Sequence, residues 1–359
     1  MHDEVIELAQ RLKSPVHSLR GKEHIEYDNP FNVGMTGLVG FASGYRAMRD
    51  CDALLLLGTD FPYRQFFPEE AKIAQINLRA AALGNRCALD LGVLGSVKDT
   101  LRALNPLIDE KPNSEHLDET LADYTKARAD LDALAQPGPD SKLIHPQYVT
   151  RVVGDLAEHD AIFSCDVGTA IAWTARYLKM NGRRRLVGSF NHGSMANAML
   201  QAIGAQAAFP QRQVISLSGD GGFTMMMGEF VTLLQTGLPV KIVVLSNGTV
   251  GFVELEMKAS GFLDSGCNLK NPNFAAMAQA MGIKGIRVER PHDLHEAVTE
   301  ILRHKGPALL DVVSARQELV MPPTTTLDEA HKFGLFTHKA VLDGRAAQLI
   351  DLAKVNLTR

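Results

Sequence analysis

The chain has 359 residues, 45% hydrophobic and 22% charged, with a net charge of −4. That length is enough for two cores, and the acidic balance excludes the basic footprint of a nucleic-acid binder. No apolar run reaches the roughly 20 residues of a spanning helix, and Met1-His2-Asp3-Glu4 opens acidic rather than as a signal peptide, so a cytoplasmic protein is expected.

Cys51, Cys87, Cys165 and Cys267 are scattered and read as reduced thiols, neither a disulfide framework nor a zinc site. His292 and His295 read as the solvated start of a helix. Residues 1–12 place Val5, Ile6, Leu8, Ala9 and Leu12 on one side of a predicted helix, and 15–19 form a short strand. A turn spaced by Gly34, Gly37 and Gly40 leads into a helix ending near Arg49. Residues 53–58 read as a buried strand and 73–77 as the next. Repeated strand–loop–helix units suit a nucleotide-sized pocket, although these glycines read equally well as turn and packing residues. Residues 99–107 complete this first domain, 111–135 form a charged helical connector, and 136–141 a loop. The second domain opens with a helix near 145–156 and a strand at 161–165. There Asp166 is either a turn cap or a cofactor-facing carboxylate. A helix over 173–180 follows.

The most informative stretch comes next. Residues 214–218 form a strand, Gly219-Asp220-Gly221-Gly222 a turn, and 223–237 a helix with Phe223, Met226, Met227, Phe230, Leu233 and Leu234 at spacings of three and four. Leu238-Pro239 breaks it, 240–245 is a second strand, and Ser246-Asn247-Gly248 a second turn. Parallel strands bring both turns to one carboxyl edge, where ligands of open α/β sheets bind. Glycines and a helix N-terminus admit an anion closely. A bare carboxylate there repels phosphate unless a cation lies between. Asp220 and Asn247 supply two oxygens, which suits Mg²⁺ completed by phosphate and water. The local reading is a metal-bridged diphosphate; the alternative is an Asp N-cap and an Asn-closed turn. Strands at 283–289 and 307–314 flank a helix at 294–303, and Pro322-Pro323 marks an exit. The tail from Leu327, with Arg345, Lys354 and Arg359, reads as an amphipathic helix, either an interfacial anchor or docked on its own domain. The expected fold is α/β, with two doubly wound parallel-sheet domains over 1–121 and 122–317 and a tail over 318–359.

Gly219-Asp220-Gly221, with Asn247 after the following strand, resembles the thiamine-diphosphate motif of the family that includes pyruvate oxidase, acetolactate synthase and pyruvate decarboxylase. That motif ends in Asn-Asn. Ser246 stands in place of the first, and Asn247 keeps the second, metal-binding one. The stretches 20–24, 27–30, 188–199, 238–244, 251–253 and 256–258 are similar to the bacterial, flavin-containing, ubiquinone-linked pyruvate dehydrogenase (pyruvate oxidase) type, over essentially the whole chain.

The resemblance implies an FAD-binding first domain with flavin contacts at Leu38, Val39, Gly40, Phe41, Phe61, Pro62, Tyr63, Arg64 and Gln65, and with Arg79. Arg64 is the candidate donor to the flavin phosphates. Asn77 and Arg79 stand where the family tends to have Asp and then Asn. In the second domain it implies that Gly193, Ser194, Met195, Asp220, Gly221, Gly222, Asn247, Gly248, Thr249, Val250, Gly251, Phe252 and Val253 bind thiamine diphosphate. Asp220, Asn247 and the Thr249 carbonyl would hold Mg²⁺, and Met195 would support the bent cofactor. Leu200 replaces a common Pro. Phe252 matches a mobile active-site aromatic or is a core residue. Val253 would lie beside the thiazolium. Glu256, on one helical face with Phe252, is a candidate acid near the substrate carbonyl or a solvated side chain.

The implied reaction is oxidative decarboxylation of pyruvate to acetate and CO₂, with electrons passing through FAD to ubiquinone. The alternatives are an acetolactate-forming carboligase and a non-catalytic cofactor-binding subunit. A pyrimidine-binding domain carrying the activating Glu is expected from a longer chain or a partner. A tetramer is implied, as is lipid-stimulated association of the tail with the inner face of the membrane, where Leu357 stands for an expected Trp.

Overall fold

The computed structural model describes residues 1–18, 22–137, 142–320 and 322–357. Leu19, Arg20, Gly21, residues 138–141 of the predicted loop, Arg359 and the Leu357 side chain lie outside the described residues. The chain divides into two compact units. The first is Met1–Asp130 with Met180–Gly182 and Pro322–Thr324; the second is Leu131–Lys179, Arg183–Met321 and Thr325–Arg359.

In the first unit, β1 (Val16–Ser18) pairs in parallel with β2 (Asn32–Met35). A second parallel sheet runs in the order β3 (Ala53–Leu57), β4 (Lys72–Asn77), β5 (Leu91–Leu94). Side chains alternate along β3. Leu54 and Leu56 join Met48, Phe61, Phe66 and Ile73 in one cluster. Leu55 and Leu57 pack with Leu8, Ile76, Val97 and Leu101 on the other face. The strand is therefore covered on both faces but graded in depth, with Ala53 exposed, where a wholly buried strand was expected. The helices Ala42–Arg49 and His2–Leu12 lie where the apolar spacing predicts.

The second unit holds one six-stranded, all-parallel sheet. Its strands are β6 (Ile162–Cys165), β7 (Arg185–Val187), β8 (Val214–Gly219), β9 (Lys241–Ser246), β10 (Lys284–Val288) and β11 (Ala308–Val313), in the order β10-β11-β9-β8-β6-β7. On one face Val214, Ile242, Val244 and Leu309 pack with Met199, Phe223, Phe230 and Phe274. Alternate strand positions, Phe163, Ile215, Leu217, Val243 and Leu310, are equally buried on the other. That face meets the helices Pro146–Leu156, Thr169–Tyr177 and Leu294–Arg303, whose Val153, Trp173 and Val298 are buried. The fold is α/β with parallel sheets, doubly wound here, as expected.

Three expectations are corrected. The predicted helix over 223–237 is two helices, Asp220–Met225 and Phe230–Thr236, joined by a tight turn at Met227–Glu229. Gly228, a weak helix former in the interior of the run, lies in that turn. The break buries Phe223 and Phe230 edge to face, 5.5 Å between centroids, and leaves Met225, Met226 and Met227 exposed. The helix predicted at 173–180 occupies Thr169–Tyr177, starting directly after the strand-end turn. The tail is two helices, Leu327–Leu342 and Ala346–Leu357, that dock on their own unit. Phe336, Ala340 and Val355 are buried, and Arg345 is committed to Asp264 and Asp343. No helix among the described residues is long and apolar enough to cross a membrane.

Candidate cofactor and metal site

The chain runs outward from β6 to β7 on one side, and from β8 to β9 and β11 on the other. The strand order therefore reverses between β6 and β8, and open α/β sheets bind ligands at the carboxyl ends of such a reversal. Asp166 follows β6, Asp220 begins the turn after β8, and Asn247 follows β9. The Asp166 Oδ1 accepts the backbone N–H groups of Asn197 (2.8 Å) and Ala198 (2.9 Å), capping the helix Ala198–Ala208. A Cβ on Gly222 would lie 2.4 Å from Asp166 Oδ2, so the Asp220 turn seats on Asp166 only with glycine at 222.

Asp220 is 1% exposed. Its Oδ1 accepts the N–H of Gly221 (2.9 Å), and its Oδ2 accepts the N–H of Gly248 and the Asn271 amide, both at 2.7 Å. Burial nevertheless pushes its pKa above the ordinary carboxylate value, against the pull of those donors. Among the described residues no Lys, Arg or His is paired with it. Gly219 lies opposite Leu245 in the sheet, and the Asp220 carboxylate binds the residue after Asn247, so the two candidate ligands leave neighbouring strands side by side. Gly248 takes a φ of 72°, open to glycine at little cost. Asn247 Oδ1 accepts the Thr249 N–H at 3.1 Å, closing the turn. The Thr249 carbonyl accepts no hydrogen bond among the described residues, while its hydroxyl donates to Glu254 at 2.6 Å. The donor set is thus one carboxylate, one amide and one carbonyl, all hard oxygens suited to Mg²⁺. No cluster of three or more His, Cys, Asp or Glu among the described residues is placed to hold a metal.

An apolar wall surrounds the glycine turn. A Cβ on Gly221 would meet Leu269 Cδ1 at 3.3 Å, Met195 Cε at 3.5 Å and Val250 Cγ2 at 3.9 Å. Met195 therefore reaches the turn from a separate loop. That loop is tied down by the Val167 N–H to the Ser194 carbonyl and by the Ser189 hydroxyl to Ser194 Oγ. Gly193 turns at a φ of 64°. Ala196, next to Met195, holds a φ of 65°, a strained state costing roughly 1–3 kcal/mol in a non-glycine residue. A Cβ on Gly251 would meet Thr169 at 3.1 Å and the Asn247 amide at 3.3 Å, which brings the start of helix Gly251–Ala259 against the same turn.

On that helix Phe252 is half-buried, and Val253 and Glu256 are exposed. The opposite side carries a buried charge network that the sequence reading missed. Glu254 and Lys258, each 3% exposed, pair at 2.6 Å. Glu254 also receives the Thr249 hydroxyl, Arg316 (3.1 Å) and the Gln317 amide (3.1 Å). Burial pushes its pKa up, but the bonds from Lys258 and Thr249 and the Arg316 charge outweigh that and hold the carboxyl at about 2. The spacing of four between Glu254 and Lys258 is the signal that could have found the pair. Asn271 carried no comparable signal.

In the first unit the two segments expected to contact a flavin come together. A Cβ on Gly37 would lie 3.0 Å from the Phe61 ring. Leu38, Arg64 and Gln65 are exposed, Val39, Pro62 and Tyr63 half-buried, and Gly40 buried. Phe41 stacks on Tyr124 at 6.1 Å. Phe61, at 2% exposure, packs in the aromatic core. Arg64 donates to the Asn85 carbonyl at 3.4 Å. Asn77 spends its Oδ1 on the Arg79 N–H, and the Arg79 side chain is exposed.

Comparison with known proteins gives two family matches. Residues 1–104 match the thiamine pyrophosphate enzyme central domain, and residues 166–312 match the C-terminal TPP binding domain. A thiamine pyrophosphate-containing protein of Bacillus subtilis (strain 168) is 31% identical over 363 residues, covering 98% of this chain and 61% of its own length. The acetolactate synthase large subunit of Parasynechococcus marenigrum (strain WH8102) is 31% identical over 332 residues, 89% of this chain and 53% of its own. The chloroplastic acetolactate synthase of Arabidopsis thaliana is 30% identical over 340 residues, 89% and 50% respectively. The chain thus spans about half the length of these relatives, up to 61%. Asp220, Asn247 and Thr249 all fall within the C-terminal match. On its sheet, its turns and these two matches, the chain belongs to the thiamine pyrophosphate enzyme family, of which it carries the central and C-terminal TPP-binding domains.

Proposed function

We propose that the protein is a Mg²⁺- and thiamine diphosphate-dependent enzyme that decarboxylates pyruvate oxidatively to acetate and CO₂, with electrons leaving through FAD to ubiquinone. One observation carries the metal reading. Asp220 is a buried carboxylate with raised pKa and, among the described residues, no Lys, Arg or His paired with it. A charge taken out of water in this way is costly until a cation joins it. The Asn247 amide and the Thr249 carbonyl, from the adjoining turn, supply the further oxygens.

Bound thiamine diphosphate supplies the electron sink that lets a 2-keto acid lose CO₂. This chain's residues do the rest. Asp220, Asn247 and Thr249 are the residues that would hold the metal and so anchor the diphosphate. Gly221 and Gly222 let the backbone approach. Met195, Val250 and Val253 exclude water from the reacting ring. Glu256, exposed one helical turn from Phe252, is the residue proposed as the acid near the substrate carbonyl. Overall, pyruvate and water would give acetate, CO₂, two electrons and two protons, with the electrons passing to FAD and on to ubiquinone. In the first unit, Gly40, Phe41, Tyr63 and the exposed Arg64 are the residues proposed to receive FAD.

Titration of the 359-residue protein with thiamine diphosphate tests the metal bridge. Binding that requires Mg²⁺ and is lost in EDTA is expected; EDTA-insensitive binding overturns it. With a pyrimidine-binding domain supplied, anaerobic pyruvate is expected to bleach the flavin absorbance, and an unbleached flavin removes the oxidase reading. A second reading, an acetolactate-forming carboligase, is favoured by the names of the relatives at 30–31% identity. Product analysis separates acetate from acetolactate. The exposed Met225, Met226, Met227, Val231 and Leu234 form an apolar surface proposed to receive a second copy of the chain.

A further inference from the structure

Asp311, in β11, is 0% exposed, and the proposed reaction leaves it without a role. Its Oδ1 accepts the Ser246 hydroxyl at 2.6 Å. Its Oδ2 accepts the Phe274 N–H at 3.2 Å and the Arg287 guanidinium at 2.5 Å. Arg287 stands directly opposite Asp311 on β10, so the buried charge is paired within the sheet. Register explains the other two contacts. Strand alternation puts Ile242, Val244 and Ser246 of β9 on one face, together with Leu309 and Asp311 of β11. Ile242, Val244 and Leu309 pack there with Phe274. A carboxylate at 311 therefore meets the last residue of β9 and the first residue of the helix Phe274–Ala280.

Both neighbours lead to Asp220. Ser246 precedes Asn247 and Gly248, and the Gly248 N–H donates to Asp220 Oδ2 at 2.7 Å. Asn271 lies in the segment that leads into Phe274, and its amide donates to the same oxygen at 2.7 Å. That segment is tied to the turn at its other end as well. The Leu269 N–H donates to the Gly248 carbonyl and the Val250 N–H to the Cys267 carbonyl, each at 2.9 Å. The contacts close a ring that runs from Asp311 through Ser246 and Gly248 to Asp220, and back through Asn271 and Phe274. We propose that Asp311 is a positioning residue for the metal turn, holding Asn247 through Ser246 and the Asp220 carboxylate through the Asn271 segment. The partners behind a metal ligand set its orientation and so its affinity. Ser246, the position at which this chain departs from an Asn-Asn pair, carries the link with a single hydroxyl. The inference rests on the metal reading of Asp220, Asn247 and Thr249.

The test titrates the 359-residue protein with thiamine diphosphate in a calorimeter at a series of Mg²⁺ concentrations, and reads the Mg²⁺ concentration that gives half-maximal binding. Ser246→Ala removes only the hydroxyl and is expected to raise that concentration about tenfold, the lower end of the loss that follows removal of an outer partner of a metal ligand. Ser246→Thr keeps a hydroxyl and is expected to remain close to wild type. Asp311→Ala removes the acceptor and is expected to raise the requirement at least as much as Ser246→Ala. The double variant is expected to be no weaker than Asp311→Ala alone, because the two residues act through one bond. Fluorescence of Trp173 under the titration conditions shows which variants are folded, and if Asp311→Ala is not, Ala against Thr at 246 decides. A wild-type Mg²⁺ requirement in Ser246→Ala, an equal loss in Ser246→Thr, or losses that add in the double variant overturns the inference and leaves Asp311 a support of the fold alone. Wild-type binding that needs no Mg²⁺ removes the metal reading itself, and the inference with it.

Discussion

Replacing Glu254 by Gln keeps its volume and removes its charge from a site where Lys258 stays buried beside it. Breaking one side of a buried pair costs about 3–5 kcal/mol, because the remaining charge is left uncompensated. The carboxyl gives a second route to the same figure. Its pKa falls from 4.5 to about 2 on folding, worth about 3 kcal/mol at neutral pH. The sign follows from the depression. The contribution is complete above the unfolded value of 4.5 and is lost as pH falls toward 2. Trp173, the only tryptophan, is 3% exposed and lies in the second unit, so its fluorescence during urea unfolding reports that unit. The Glu254→Gln variant is expected to lose about 3 kcal/mol at pH 7. It should also lack the wild-type decline between pH 4.5 and the limit of folding. Adding Lys258→Met should recover most of the loss, since an apolar replacement of the whole pair is close to neutral. A loss under about 1 kcal/mol, the worth of an exposed pair, or an unchanged acid slope, would refute the reasoning.

Three further outcomes are expected. Asp220→Ala abolishes the Mg²⁺-dependent binding of thiamine diphosphate measured by calorimetry; unchanged affinity removes the metal assignment. Gly222→Ala places a methyl 2.4 Å from Asp166 Oδ2, and the overpacking costs about 1–3 kcal/mol by Trp173 fluorescence; wild-type stability would show that the turn does not seat on Asp166. Met226→Glu puts a charge in the exposed methionine surface and lowers the molar mass found by light scattering, whereas an unchanged mass places any subunit contact elsewhere.

The sequence made the long central strands and the turn after β8 legible for a local reason. β8 carries Val214, Ile215 and Leu217 and β9 the run Ile242 to Leu245, each closed by Gly, Asp or Asn, so strand, stop and candidate ligands sit within a few residues. The strands that went unread, β2, β5 and β7, are three or four residues long and lie at sheet edges. An edge strand need not be apolar on both faces. Leu91 and Leu94 of β5 are more than half exposed, and Arg185 opens β7. Their strand character comes from a partner supplied by the fold, which no window of residues contains.

The same distinction separates the legible part of the site from the rest. Asp220 and Asn247 announce themselves within one βαβ unit, whereas Glu254 is made a buried anion by Arg316, Gln317 and Gln348, which are remote in the chain. The tail follows from this. Its basic and apolar residues fit a lipid surface by pattern alone, but Gln348 reaches both Asp264 and Glu254, and Asn356 closes on the backbone of Gln317 and Leu319. The helix that carries Phe252 and Glu256 is therefore braced from behind by the last two helices through one carboxylate. A change that releases those helices acts on the Thr249 turn through Glu254, without touching any proposed ligand.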